Sequence, residues 1–406
     1  MHHLRTRPAP IAVPAALGVA AALLLTACSS PDAGPSGAPG SASSAPAEPH
    51  GYVEGASEAS EPQLRLLLAD AEGSVAVHDL LAGETASLDD VPAPAHAATD
   101  GRFLATSDGE RTTIVDGGSW TVDHGDHTHY YDATARVVGG LDHGGPVELA
   151  SSESTTTLAW PESARAVALD RAALGQGEVR ETATVAGAGV LLPLGTLLVA
   201  GDVDEDRVTV LDAEGEPTGV DAACTDPAGG IVTRVGAVVG CADGAVLVTE
   251  GPDGGDPVVE TVAVPAADAD LPRATDFANR TGRPTVAALA GDTGYWLLDT
   301  RERTWQHVPT DRPLVHAVAV DDADAHVVAL DTDGRVRVWS DGDSAPVTTE
   351  PLAAAGRATL QLDAQRAYLS DPEGSVVHEI DFADGARVAR SIEVPVHPDV
   401  LAEVGR

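Results

Sequence analysis

Three of the chain's 14 histidines fall within six residues, in Asp123-His124-Gly125-Asp126-His127-Thr128-His129-Tyr130-Tyr131. Neutral imidazole is a good zinc ligand, and near neutral pH the ring is largely unprotonated. Side chains alternate along an extended strand, so His127 and His129 share a face. Gly125 permits a turn that brings His124 back towards that face, and Asp123 or Asp126 would orient an imidazole through its second nitrogen or complete the shell. The spacing makes this stretch a candidate metal centre; the plainer reading is a set of solvated histidines on a loop. Zinc is favoured over copper, because the only methionine is Met1 and no free thiol is expected, while nickel suits the same donors. One tightly bound ion is expected, lost when His127 and His129 are both removed.

Other constellations carry less chemistry. Asp202, Asp204 and Asp206 have the odd spacing of a calcium loop, but Arg207 stands where a glycine is needed and Ala213 where a glutamate is needed. His78 and His378 occupy equivalent places in two repeats and read as strand residues, and His143, His316 and His326 have no local partner. No Gly-x-Ser-x-Gly precedes a helix, so no nucleophile elbow is present. Nothing in the sequence supports an enzyme.

The elements that must position these residues are strands. Asp70-Ala71-Glu72-Gly73-Ser74-Val75-Ala76-Val77, Ala242-Asp243-Gly244-Ala245-Val246-Leu247-Val248, Asp331-Thr332-Asp333-Gly334-Arg335-Val336-Arg337-Val338 and Asp371-Pro372-Glu373-Gly374-Ser375-Val376-Val377 are copies of one unit. Each is an acidic-glycine turn followed by alternating β-branched residues, the pattern of a hairpin whose glycine supplies a positive φ. Weaker copies end in Asp116, Asp170, Asp212 and Asp299, giving about eight units at a spacing near 43 residues, which suits four-stranded propeller blades. The fold expected is all-β, a β-propeller of seven or eight four-stranded blades over residues 62–402. The first unit lacks a leading strand and Ile392 to Val400 reads as extended, so pairing of the two ends would close the ring and remove its edges. Helical periodicity is nearly absent, Ala266 to Asp270 being the best stretch. The repeats lack the Gly-His and Trp-Asp signature; Val338-Trp339-Ser340 comes nearest.

Arg5 and Arg7, the apolar run Ile11 to Leu25 and then Leu25-Thr26-Ala27-Cys28 read as a signal peptide over residues 1–27, too short and too broken by Pro14 for a membrane span. A small residue before a cysteine at this point resembles a lipobox, with Cys28 the lipidated residue. Residues 28–61, rich in Ser, Ala, Pro, Gly and Glu, read as a disordered tether. An extracytoplasmic place, on the cell membrane through its lipid alone, follows. There Cys224 and Cys241 are an even pair in an oxidising compartment, expected to form a disulfide between neighbouring strands of one blade. The formal charge of −39, with no lysine in the chain, argues against nucleic acid and against anionic lipid. A monomer is expected.

The stretch Asp123 to Tyr131, together with His50-Gly51-Tyr52-Val53-Glu54-Gly55-Ala56, Cys224 and Gly240-Cys241-Ala242-Asp243-Gly244, resembles the AztD family of periplasmic zinc metallochaperones. That resemblance spans roughly residues 50 to 400, and the histidine motif is its specific part. It implies a propeller that binds zinc through His124, His127 and His129, with Asp126 and Glu148 as helpers, and hands it to the solute-binding protein of a zinc ABC importer. The chain departs from the family at three places, holding Glu148, Gly187 with Ala188, and Ala228 where the resemblance leads one to expect histidines, and it lacks a His-rich tail. The alternatives are a cell-surface propeller scaffold without metal function and a metal-dependent hydrolase.

Overall fold

In the computed structural model, alternating Val, Leu, Ala and Ile residues form, among the described residues, eight four-stranded antiparallel sheets and one three-stranded sheet. The structure describes residues 51–123, 127–341 and 345–406. Those residues belong to one compact unit, Glu48–Arg406. The eight four-stranded sheets are the blades of an eight-bladed β-propeller, the higher of the two blade numbers that the repeats allow.

Each blade runs from an innermost to an outermost strand. Blades three to eight use consecutive strands, as in Glu148–Ser151, Thr155–Trp160, Arg165–Asp170 and Glu181–Ala186 of the third. The first blade takes its innermost strand from the other end of the chain: Val400–Val404 pairs with Arg65–Ala69, matching Val404 to Arg65 and Val400 to Ala69. This is the expected ring closure, achieved by a strand a few residues later than Ile392 to Val400. Ile392 instead belongs to Arg387–Glu393, the outermost strand of the eighth blade. The domain thus extends past residue 402.

The acidic-glycine turns connect the second and third strands of their blades. Asp70 accepts from the backbone N–H groups of Glu72 and Ser74 while Gly73 takes φ +99°, where a Cβ would stand 2.0 Å from the Val91 carbonyl. In the last copy the left-handed residue is Ser375 and not Gly374. The most regular helix, Arg171–Gln176, was not legible as a periodic stretch; Asp170 caps its start by accepting from Ala173 and Gly177 ends it at φ +90°. Ala266–Asp268 is a single 3-10 turn.

The core is a ring of clusters between blades. Val190, Val208 and Val246 are fully buried in one, and Val328, Leu330 and Leu369 in another. Cys224 and Cys241 form the expected disulfide. Its placement differs from expectation: Cys224 follows the outermost strand of the fourth blade, Pro217–Ala223, and Cys241 ends the second strand of the fifth, Ala237–Cys241. The bridge therefore ties two blades together where neighbouring strands of one had been expected.

Candidate metal centre

The second blade is interrupted between its third strand, Thr112–Asp116, and its outermost strand, Arg136–Leu141, by a hairpin of Ser119–Asp123 and Thr128–Asp132. The two strands pair from Ser119↔Asp132 to Asp123↔Thr128. A third strand, Ser57–Ala59, adds to the outer side of Thr128–Asp132 with Glu58 opposite Tyr131. The histidine motif and the segment that leads into the domain are thus one small sheet. Residues 51–61 are therefore part of the folded domain, and the tether read as residues 28–61 ends earlier than its composition suggested.

The hairpin is fastened at its base. Arg65 donates to the carbonyls of Gly117, Gly118 and Ala133 and to the Asp132 carboxylate. Ser119 donates to the Gln63 carbonyl, and the Trp120 indole N–H to the Gly51 carbonyl at 3.1 Å. Gly51 is required here: at φ +76° a Cβ would lie 2.5 Å from Val122. Beneath the sheet Arg102, ion-paired with Asp116 at 2.9 Å, lies 3.6 Å from the Trp120 ring centroid, and Trp120 stacks on Tyr131 at 5.2 Å.

Alternation places Trp120, Val122, His127, His129, Tyr131 and Glu58 on one face. The His127 and His129 rings meet edge-on with centroids 4.9 Å apart, as their spacing predicts for a shared face. His129 is 20% exposed at its side chain, and its Nδ1 lies 2.7 Å from Glu58 Oε1. With Nδ1–H donating to Glu58, the lone pair of His129 is on Nε2, the arrangement in which a carboxylate orients a metal-binding imidazole. Glu58 is the residue that sequence reasoning missed: it sits 71 positions away and reaches His129 only through the added strand. Asp123, considered for that orienting role, pairs with Arg234 at 2.7 Å. Burial, and then the charge of Glu58, raise the pKa of Tyr131.

His124 and Asp126 lie outside the described residues. Among the described residues no group of three or more His, Cys, Asp or Glu is arranged to hold a metal ion. The described donors nonetheless suit zinc in kind: two imidazoles on one face and a carboxylate fixing the tautomer of one of them.

Glu148 is placed elsewhere. It begins the innermost strand of the third blade and lines the central channel, a cavity of about 650 Å³ shared with Asp276 and His316. Burial first, and then Asp276, push its carboxyl up to about 7. His316 Nδ1 lies 2.6 Å from Asp276; burial, which lowers its pKa, is outweighed by that carboxylate, and the net shift is upward. Glu148 thus lines the channel with Asp276 and His316, and the helper role assigned to it has no contact with His127 or His129 behind it. Of the remaining histidines, His78 and His378 bond Thr85 and Ser391 as strand residues of equivalent position. His143 bonds Ser163 and His326 bonds Asp322, so neither joins His316.

Fold and site together define an eight-bladed β-propeller that carries a fastened histidine hairpin on the face where the turns leave the innermost strands. No family model matches the chain, and no curated protein matches it in sequence. In structure it is similar to AztD from Citrobacter koseri, with a TM-score of 0.70 and 20% identity over 85% of this chain and 98% of that one. The apo form of the same protein gives 0.69 and 18% over the same shares. Sqt1 from Chaetomium thermophilum, bound to the N-terminus of the ribosomal protein L10, gives 0.50 and 14% over 75% of this chain and 89% of that one. The likeness to AztD covers most of both chains, as the sequence resemblance implies, and at this identity it concerns the fold.

Proposed function

We propose that the chain is an extracytoplasmic zinc-binding lipoprotein that takes up zinc on its histidine hairpin and delivers it to the solute-binding protein of an ABC importer. The observation that supports this reading most directly is the pairing of His127 with His129 on one face, with Glu58 holding the His129 imidazole. Zinc is the cargo, so the site needs a few well-oriented nitrogen donors on an accessible strand and no closed four-ligand cage. His127 is exposed and supplies such access. His124 and Asp126 complete the donor set in this reading, and Cys28 carries the lipid that keeps the protein at the membrane.

Calorimetry on metal-free protein tests the first half of this function. About one zinc ion is expected to bind tightly, and His127→Ala with His129→Ala to abolish it, because two lost ligands leave too few donors to offset dehydration of the ion. Binding should weaken in acid, where protons compete with zinc for the imidazole nitrogens. Stopped-flow transfer to a zinc-binding protein of the importer class tests the second half, with transfer expected to outpace simple dissociation. Tight binding that survives the double change would move the site elsewhere, and binding without accelerated transfer would leave a zinc buffer. Absence of binding would favour the scaffold reading.

A further inference from the structure

The reverse face of the histidine hairpin meets a second feature. Thr121, Asp123, Thr128 and Tyr130 point away from the histidine side, as alternation requires, and form one wall of a groove of about 680 Å³. The opposite wall is made by turns that leave the innermost strands of the fifth, sixth and eighth blades and by the second residue beyond the closing strand. These contribute Arg234, Arg280, Arg283 and Arg406. The whole chain sets 24 arginines against 63 carboxylic residues, yet the lining of this groove sets these four arginines against Glu61, Asp123 and Asp363 alone. The lining of the groove is thus cationic in a strongly anionic molecule, with Asp321 and Glu403 standing behind it.

The arginines are incompletely neutralised. Arg234, with 58% of its side chain exposed, holds Asp123 at 2.7 Å. Arg283 stands 3.5 Å from Asp321 and Arg406 3.7 Å from Glu403, both longer than close ion pairs. The Nε atoms of Arg283 and Arg406 are buried with no hydrogen-bond acceptor. Burial first, and then the neighbouring Arg283, lower the pKa of Arg280 against the opposing charges of Asp322, Asp321 and Asp363. Leu81, 58% exposed, and Pro62 add an apolar rim. Planar guanidinium groups favour carboxylates in paired geometry, and such charge-assisted bonds are the strong ones.

We propose that this groove is a docking site for an acidic segment of a partner protein, its carboxylates pairing with Arg234, Arg280 and Arg283 while an apolar side chain covers Leu81 and Pro62. The occupant is a peptide segment and not a nucleic acid, because the mean field of the molecule disfavours a phosphate polymer while a short segment feels chiefly the groove. Docking here needs no bound metal, so it stands apart from the zinc reading.

The test uses the full mature chain with chelator present and a fluorescein-labelled peptide of glutamate pairs separated by leucines. At about 0.15 M salt a Debye length of about 8 Å screens the distant carboxylates and leaves direct contacts in place. Saturable binding by fluorescence anisotropy is expected, weakened about tenfold or more by Arg280→Gln with Arg283→Gln, corresponding to about 1.4 kcal/mol. Arg234→Gln, at an exposed side chain whose loss does not threaten folding, should weaken it about threefold or more. Arg312→Gln, on the opposite face of the ring, should leave it unchanged. Absent binding, equal binding of the same peptide with glutamines for glutamates, or affinity indifferent to both groove variants would overturn the proposal. Citrate binding in place of the peptide would also overturn it and leave a small-anion site.

Discussion

At the scale of single residues, the contact that decides the proposed zinc site is Glu58 with His129. A carboxylate that accepts Nδ1–H fixes the tautomer and raises the basicity of Nε2, and loss of such a partner costs about 10–100-fold in metal affinity. Glu58→Ala is therefore expected to weaken zinc by about that factor, read by competition with a chromophoric chelator. Glu58→Gln should lose less, because its amide oxygen still accepts the same proton. Glu148→Gln should leave zinc affinity unchanged, since Glu148 lines the channel with Asp276 and His316. The shared face of His127 and His129 was legible in the sequence because it follows from strand alternation alone. Glu58 was not, because its link to His129 is a diagonal contact across a strand 71 residues away. Glu148 was grouped with the histidines through family resemblance, and only the position of its strand at the channel wall separates it from them.

At the scale of elements, the acidic-glycine turns were readable because their chemistry is local: an aspartate accepting from the next residues and a left-handed position close by. The segment 51–61 was not, since its Ser, Ala, Gly and Glu residues look like tether until the hairpin supplies a strand for Ser57–Ala59 and a pocket for Val53, which is 8% exposed. The disulfide was legible as a pair of cysteines and misplaced as to its strands, because two residues 17 apart can lie in one blade or bridge two. Its position between the fourth and fifth blades leads to a clear expectation. Cys224→Ser with Cys241→Ser should lower stability by about 3 kcal/mol in the loop-entropy account, measured by denaturant unfolding. The same variant should keep its zinc affinity, as neither cysteine touches the hairpin sheet. A thiol titration of the native protein should find both sulfurs oxidised.

At the scale of the whole molecule, stability rests on closing the ring, and the closing strand carries an unusual charge. Glu403 on Val400–Val404 is 0% exposed, and both its carboxylate oxygens are buried without a hydrogen bond of good geometry. Burial raises its pKa well above the ordinary carboxylate value; Arg406 opposes the shift, and Asp363 and Glu379 reinforce it. The folded protein therefore holds a proton that the unfolded chain releases above about 4.5. The sign follows from linkage: where the native state binds more protons than the unfolded state, stability falls as pH rises. The contribution of Glu403 is thus fully present below the unfolded value and is lost as pH climbs towards the raised native one. Glu403→Gln mimics the protonated side chain at every pH and removes that dependence. Its melting temperature at pH 8 is expected to exceed that of the parent protein by about 2–4 °C, with the difference shrinking to nothing near pH 4. Scanning calorimetry across this range checks it. An equal gain at both pH values would place the effect in packing, and a loss at pH 8 would mean that the Arg406–Glu403 pair, ionised, helps to hold the ring shut.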